Sequence, residues 1–414
     1  MRGRPEVLLH RRSGRKKLSV ILIDWGVRES FHSLEYLNRQ TAPRDDYELI
    51  WLEFYGRKPE PIRRMAAARR PLIDKWIALG YPPDLIYHKH RLYNAGLLAA
   101  DGEVCVICDS DAIFLPTFVE TVLRAFDETP YGIVHIDEVR NSDPQFYPFC
   151  YPTVEQILGP GVMNWWVYTT KGLYSDVDRL HRANYGACMA ARRSELLSIG
   201  GSDEHPDYLG FCCGPYEMTF RLMNRGRLHR WLMGEYLYHT WHPNSTMFNT
   251  EYQAPHDGRF LPLRFLHARA TGRVRPYLPN PCVRRGGLER FLRFVAEHPE
   301  PSWVAGAQPV EPPDFVYQVD RDYRSFNLFV HRGEWFALPV EECRYDPGRR
   351  DYRGLLRAEN EESLRSQIDT IRPETPAPEP PGRLRRLVRG VFTEPLHRLP
   401  RRALRKVGRL ARMS

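Results

Sequence analysis

The stretch "EVCVICDSDAIFLP", beginning at Glu103, runs apolar from Val104 to Cys108 and then sets two carboxylates, Asp109 and Asp111, one residue apart. Like charges at that spacing repel, and their natural neutraliser is a divalent cation with oxygen ligands. A strand-end loop leaves room for a diphosphate on the same ion, which would stabilise charge building on a departing phosphate. The plainer reading is a solvated turn. Two further apolar runs carry acids at their ends: "LSVILID" stops at Asp24, and "YELIWLEF" holds Glu53. One such acid is an ordinary turn or helix-cap residue. Three gathered on one rim indicate a polar ligand site. In "HTWHPN", one of His239 and His242 would complete an Asp/His set, neutral imidazole being a good ligand for Mn2+, with His239 the favoured ligand.

Those side chains need a scaffold that gathers strand ends. "LSVILID" (Leu18 to Asp24) and "YELIWLEF" (Tyr47 to Phe54) read as buried strands, and "RESFHSLEYLNRQ" between them has Phe31, Leu34 and Leu37 at helical spacing. A further helical pattern leads to "DLIYH" (Asp84 to His88). "RLYNAGLLAA" is helical, and the run into Asp109, a helix near "FVETVLRAF" and the run "YGIVHI" follow. Strands alternating with helices predict an α/β domain with a mostly parallel sheet and helices on both faces. In such sheets the ligand crevice lies at the carboxyl ends of the strands, where these acids fall. Further on, "FNLFVHRGEWFALP" predicts a hairpin around "HRGE", "ENEESLRSQID" a short helix, and "RPETPAPEPPGR" a Pro-rich linker.

In order and spacing, these segments resemble glycosyltransferase family 2, inverting enzymes of the GT-A fold that use nucleotide-diphosphate sugars. The resemblance covers roughly Leu18 to Pro243. It rests on "SVILIDWG", "ELIWLEFYGR", "YNAGLLAADGEVCVICDSD", "YGACMAARRSELLSIGGSDE", "YEMTFRLMNRG" and "YLYHTWHP". It implies that Asp109 and Asp111 bind the metal and, through it, the diphosphate, with Asp109 also at the ribose. It implies that Asp24 and Glu53 face the nucleotide, together with Lys89, Arg91 and Asn94. "GGSDE" would form the acceptor turn through Gly200, Gly201 and Asp203, and Trp165 and Trp166 would stack on a sugar. The family's Glu-Asp pair before Arg-Leu is absent here; "CCGPYEMTFRL" offers Glu217, four residues before Arg221. Glu217 is therefore the expected catalytic base, with Glu204 the second candidate.

The implied activity is transfer of a sugar from a nucleotide-diphosphate donor to a hydroxyl of a saccharide or lipid-linked saccharide, in surface polysaccharide synthesis. The alternative is a nucleotide-sugar-binding or scaffold subunit with weak catalysis. The expected organisation is a basic N-terminal segment (1–17), a GT-A domain (18–260), an extension with the hairpin and short helix (261–372), the linker (373–382) and a basic tail (383–414).

The chain has 414 residues and a net charge of +9, but positions 382–414 alone hold eleven Arg or Lys against one acid, Glu394. The basic character thus belongs to the tail. Leu384, Leu387, Val388, Val391 and Phe392 form an apolar stripe there, repeated from Leu396 to Leu410, with arginines on the other faces. This pattern suits an anionic membrane surface. A stripe with Phe392 as its only aromatic argues against nucleic acid as partner. The eight cysteines lack a framework spacing, and Cys105 and Cys108 in a strand would point to opposite faces. Reduced thiols, no signal-peptide core and no long apolar run predict a cytoplasmic protein peripheral to the inner face of the membrane.

Overall fold

The computed structural model describes residues 3–11, 14, 16–130, 132–147, 149–164, 186–209, 215–242, 271–285, 287–298, 316–331, 333–339 and 353–372. Two compact units divide the chain, Met1–Leu364 and Arg365–Ser414. Of the second, only the end of one helix and the residue after it are described, so the basic tail and the Pro-rich linker lie outside the described residues.

The first unit is built on a ten-stranded sheet. Its strands are β1 (Glu6–His10), β2 (Lys16–Asp24), β3 (Tyr47–Tyr55), β4 (Lys75–Tyr81), β5 (Gly102–Cys108), β6 (Ile113–Phe114), β7 (Ile133–Asn141), β8 (Val162–Asn164), β9 (Cys188–Arg192) and β10 (His229–Thr240). The order is β1-β4-β3-β2-β5-β9-β7-β10-β6, with β8 on β7. Strands β2, β3, β4 and β5 pair in parallel, as do β7 and β10, while β9 runs antiparallel between β5 and β7. The six long strands β2, β3, β4, β5, β7 and β10 therefore share one direction and deliver their carboxyl ends to one edge.

Strands β2, β3, β4, β5 and β7 are almost wholly buried, and alternate residues feed two cores. From β2, Leu18, Val20 and Leu22 join Leu49 and Trp51 of β3 on one face. Ile21 and Ile23 join Ile50 and Leu52 on the other. Helices α1 (His32–Leu37) and α4 (Phe118–Glu128) cover the first face, α4 through Phe118, Val122, Ala125 and Phe126. Helix α2 (Glu60–Ala67) adds Ile62 to that core. Helices α3 (Lys89–Ala99), α6 (Arg193–Ser198) and α7 (Tyr216–Asn224) cover the second face, with the short α5 (Val154–Ile157) lying between α4 and α6 in sequence. Every residue of α3 from His90 to Ala99 is buried, because a further layer packs over it. Gly96 lets α3 lie close on β2, since a Cβ there would stand 2.5 Å from Ile21 Cγ2. Cys105 and Cys108 enter opposite cores, as expected, and both are free thiols.

The expected α/β architecture is present, with four differences in detail. The third parallel strand is Lys75–Tyr81, not within the helical pattern expected there; that helix is confined to Glu60–Ala67. The basic N-terminal segment contributes β1, an antiparallel edge strand on β4. Past 260, helices Pro281–Arg285 and Leu288–Glu297 pack onto this sheet's second core. Their Cys282, Val283, Phe291 and Val295 belong to the core beside α3. The expected hairpin turns at His331 and Glu334 but sits inside a four-stranded antiparallel sheet, Val316–Tyr323, Phe326–His331, Glu334–Pro339 and Leu356–Ala358. The short helix follows at Glu361–Ile371. Among the described residues no helix is long and apolar enough to cross a membrane.

Candidate active site

Strand β5 keeps its ladder one residue past Cys108, where Asp109 N–H donates to the Ala187 carbonyl at 3.0 Å. The chain then turns away from the sheet. Ser110 Oγ donates to the Ile23 carbonyl at 2.6 Å, pinning this turn to the end of β2 and presenting Asp111 at the carboxyl edge. His239 arrives from the end of β10, and His242 follows just beyond it. Both Nε2 atoms converge on Asp111 Oδ2, at 3.0 Å from His239 and 2.9 Å from His242.

The ligand atoms of Asp111, His239 and His242 all lie within 4.8 Å of one another. One ionised carboxylate with two imidazoles is a donor set that fits a divalent first-row cation. Burial pushes the Asp111 carboxyl up, but Arg28, His239 and the two imidazole hydrogen bonds outweigh it and hold the group well below the usual carboxylate range. Burial lowers His242 to about 4, so its ring is neutral. Of the four residues expected at the metal, these three meet and Asp109 stands apart. Burial, then Glu138 and Asp111, push Asp109 up to about 7, against the pull of Lys89 and Arg28. The two acids of the Asp-Ser-Asp turn are thus shifted in opposite directions, Asp111 down through Arg28 and the histidines and Asp109 up through burial.

The loop after β2 supplies residues that sequence reasoning missed. Asp24 Oδ1 accepts from the N–H groups of Val27 (2.9 Å) and Arg28 (3.2 Å), closing a turn that aims Arg28 across the edge. The Arg28 guanidinium pairs with Asp111 Oδ2 through Nη1 and donates from Nε to Ser110 Oγ at 2.7 Å. His32 Nε2 lies 2.8 Å from the Asp111 carbonyl, which can only accept, so Nε2 carries the proton and Nδ1 accepts from Ser30 Oγ at 2.9 Å. The ring stacks on Phe149 with centroids 3.6 Å apart, and burial lowers its pKa to about 3. The available signal was position: both residues stand just after a strand end already marked by Asp24. A cavity of about 40 Å³ opens here between Arg28, Glu29, Asp111, Tyr147, Trp241 and His242. Burial raises Glu29 to about 8 against a hydrogen bond from Tyr147.

Asp24 and Glu53 are register partners on β2 and β3, and both are fully buried. Burial and then the Asp24 charge raise Glu53 well above the usual range. Asp24 Oδ2 and Glu53 Oε2 have no protein N–H donor, which a proton on Glu53 shared with Asp24 would satisfy. The structure brings these two acids together beneath the loop and does not join them to the Asp111 cluster. Lys89, at the start of α3, sets its Nζ 4.4 Å from the Trp25 ring centroid.

A second cluster lies farther along α3. Arg91 Nη2 pairs with Glu204 Oε2, while Asn94 Nδ2 and Asn280 Nδ2 each donate to Glu204 Oε1 at 2.9 Å. Glu217, in the first turn of α7, accepts from Asp203 N–H at 3.0 Å on Oε1 and from Arg221 Nε at 2.5 Å on Oε2. Asp203 itself accepts from the N–H groups of His205, Tyr277 and Leu278. Gly201 has φ +67°, and a Cβ there would collide with Asn94 Oδ1. Asn94 thus fills the space beside Gly201. Arg91 and Asn94, expected at the nucleotide, are committed to Glu204 and the Ser202 backbone. Trp165 and Trp166 lie outside the described residues.

Residues 87–198 match the family model described as Glycosyl transferase family 2. A search of the curated proteins gave no match. Among solved structures, the chain is similar to mannosyltransferase PcManGT from Pyrobaculum calidifontis in complex with GDP-Man and Mn2+. That similarity has 15% identity, covers 58% of this chain and 61% of that one, and has a TM-score of 0.38. It is also similar to S. aureus TarS 1–349 in complex with UDP-GlcNAc, at 14% identity over 68% of this chain and 72% of that one, with a TM-score of 0.43. The UDP complex of the same TarS segment gives 14% identity, 69% and 72% coverage and a TM-score of 0.39.

Proposed function

We propose, starting from the match of residues 87–198 to the model described as Glycosyl transferase family 2, that the protein is an inverting, metal-dependent glycosyltransferase. It moves a sugar from a nucleotide-diphosphate sugar to a hydroxyl of a saccharide or lipid-linked saccharide, in surface polysaccharide synthesis. The observation that carries this reading is the convergence of Asp111, His239 and His242 at the carboxyl edge of the sheet. Mn2+ or Mg2+ held by these three would supply Lewis-acid stabilisation of the departing diphosphate. Asp111 contributes the anionic donor, and Ser110, donating to the Ile23 carbonyl, fixes the turn that carries it. Lys89 brings a positive charge beside Asp109 for a phosphate, and Asp109 offers a carboxyl to a ribose hydroxyl. Trp165 and Trp166 serve the acceptor, and the basic tail holds the enzyme on the anionic inner face of the membrane.

Inversion by direct displacement needs a carboxylate to take the acceptor's proton. Glu217 is the first candidate: it stands in the first turn of α7 and pairs with Arg221. Glu204 is the second. Both already accept several hydrogen bonds, and that engagement favours a second reading, a nucleotide-sugar-binding or scaffold subunit with weak catalysis. Thermal-shift screening of UDP-, GDP- and dTDP-sugars with Mn2+, followed by transfer assays on the binders, separates the readings. Binding with turnover supports the enzyme, binding without turnover supports the scaffold, and no binding rejects both.

A further inference from the structure

Arg28 occupies a position that a metal ion would contest. Its guanidinium holds Asp111 Oδ2, the oxygen on which His239 and His242 converge. A dication placed among those three donors would face a guanidinium on its only carboxylate, and like charges at contact distance repel strongly in a water-poor site. Either the metal is excluded, or the guanidinium moves.

The surroundings show where it can go. Arg28 is buried, yet it lines the cavity beside the triad. Its backbone N–H is held by Asp24, so the long side chain can swing while the main chain stays fixed. The guanidinium already rests 5.3 Å from the Trp25 ring centroid, and Lys89 sits against the same ring. Two cations on one aromatic platform at the carboxyl edge of a sheet suit an anion with more than one charge. A diphosphate supplies such an anion and also neutralises the metal.

We propose that Arg28 is a diphosphate-binding residue that stands in for the metal on Asp111 until the donor arrives, so that metal and diphosphate bind cooperatively. The identity of the diphosphate as a nucleotide sugar rests on the function proposed above; the exchange itself requires only a divalent cation and two linked phosphates. Coupling of this kind is reciprocal, so each ligand strengthens the other by the same factor.

The test uses the full chain, Mn2+ and inorganic pyrophosphate. Mn2+ alone is titrated by the paramagnetic resonance of the free ion, and pyrophosphate is titrated by calorimetry at saturating Mn2+. Arg28→Ala should bind Mn2+ alone about tenfold more tightly, because the competing cation is gone. It should bind pyrophosphate about tenfold or more weakly, the scale of a lost charge-assisted hydrogen bond. Arg28→Lys, which keeps a cation without the two-pronged contact, should fall between, and it carries the test if Arg28→Ala does not fold. Unchanged or weaker Mn2+ binding in these variants overturns the proposal, as does unchanged pyrophosphate affinity. A purely structural arginine would weaken both ligands together. Wild-type protein that takes up Mn2+ and pyrophosphate cooperatively but no UDP, GDP or dTDP would leave the exchange standing and sink the transferase reading.

Discussion

Replacing Asp111 by Asn keeps the side chain's shape and removes its charge, and the structure separates two consequences. The carboxylate and the Arg28 guanidinium are each 8% exposed in their side chains. Removing one partner of such a pair leaves a buried, uncompensated charge and costs about 3–5 kcal/mol. The Asn oxygen can still accept a hydrogen bond, so the lower end of that range is expected. The metal loses its only anionic donor among the three converging side chains. A dication and a carboxylate at about 4 Å attract by about 2 kcal/mol even under full water screening, and by about 8 kcal/mol at an effective dielectric of about 20. Mn2+ affinity should therefore fall at least about 30-fold, since about 1.4 kcal/mol is a factor of ten. Urea unfolding in EDTA reads the first effect, and resonance titration of free Mn2+ reads the second. The double variant Arg28→Met with Asp111→Asn removes both charges. It should recover most of the stability and none of the metal binding. A folded Asp111→Asn protein whose Mn2+ affinity lies within twofold of wild type would refute the triad. A double variant no more stable than the single one would refute the ion-pair argument.

Glu217→Gln should slow the chemical step by roughly 10²–10⁴-fold with donor affinity near normal; near wild-type turnover per folded molecule moves the base elsewhere, and Glu204→Gln is then the variant to measure. His135 is fully buried and its pKa is lowered to about 3 by burial, then by His229. The unfolded ring, with a pKa of 6.5, binds a proton that the native ring refuses between those values. This histidine's contribution to stability is therefore complete above the unfolded pKa and is lost as pH falls towards 3, at up to about 1.4 kcal/mol per pH unit. His135→Phe should flatten the acid limb of a urea-midpoint profile, and an unchanged slope contradicts the buried neutral ring. Lys75 and Glu48 form an ion pair of 2.8 Å with both side chains almost wholly buried. Lys75→Met should cost about 3–5 kcal/mol in chemical denaturation, and adding Glu48→Gln should restore much of it; a neutral Lys75→Met would show that water reaches the pair.

Local pattern was enough for the parts of the molecule whose information is local. The apolar runs at β2, β3 and β5 read as strands because residues buried on both faces need no alternation. The helix at Phe118–Glu128 and the turn between His331 and Glu334 were equally legible. The acids at the carboxyl edge and the late histidines were visible as types at spacings, and Asp111, His239 and His242 do meet. Strand β4 was not legible, because "KWIALGY" opens with a charge that looks solvated. Lys75 is buried only because Glu48, Asp101 and the Ala99 carbonyl surround its ammonium. Edge strand β1 was hidden for a similar reason: its partner, β4, lies some 65 residues on. Tertiary structure alone decided which acid of the Asp-Ser-Asp turn meets Arg28, since that guanidinium comes from 83 residues away. It also committed Glu204 to Arg91, Asn94 and Asn280, and set Asn94 in the space beside Gly201. Hydrophobic period reports which side of a segment is dry. The charge state of a buried carboxyl depends on which donors the rest of the chain brings within about 3 Å of it, and no local spacing encodes that.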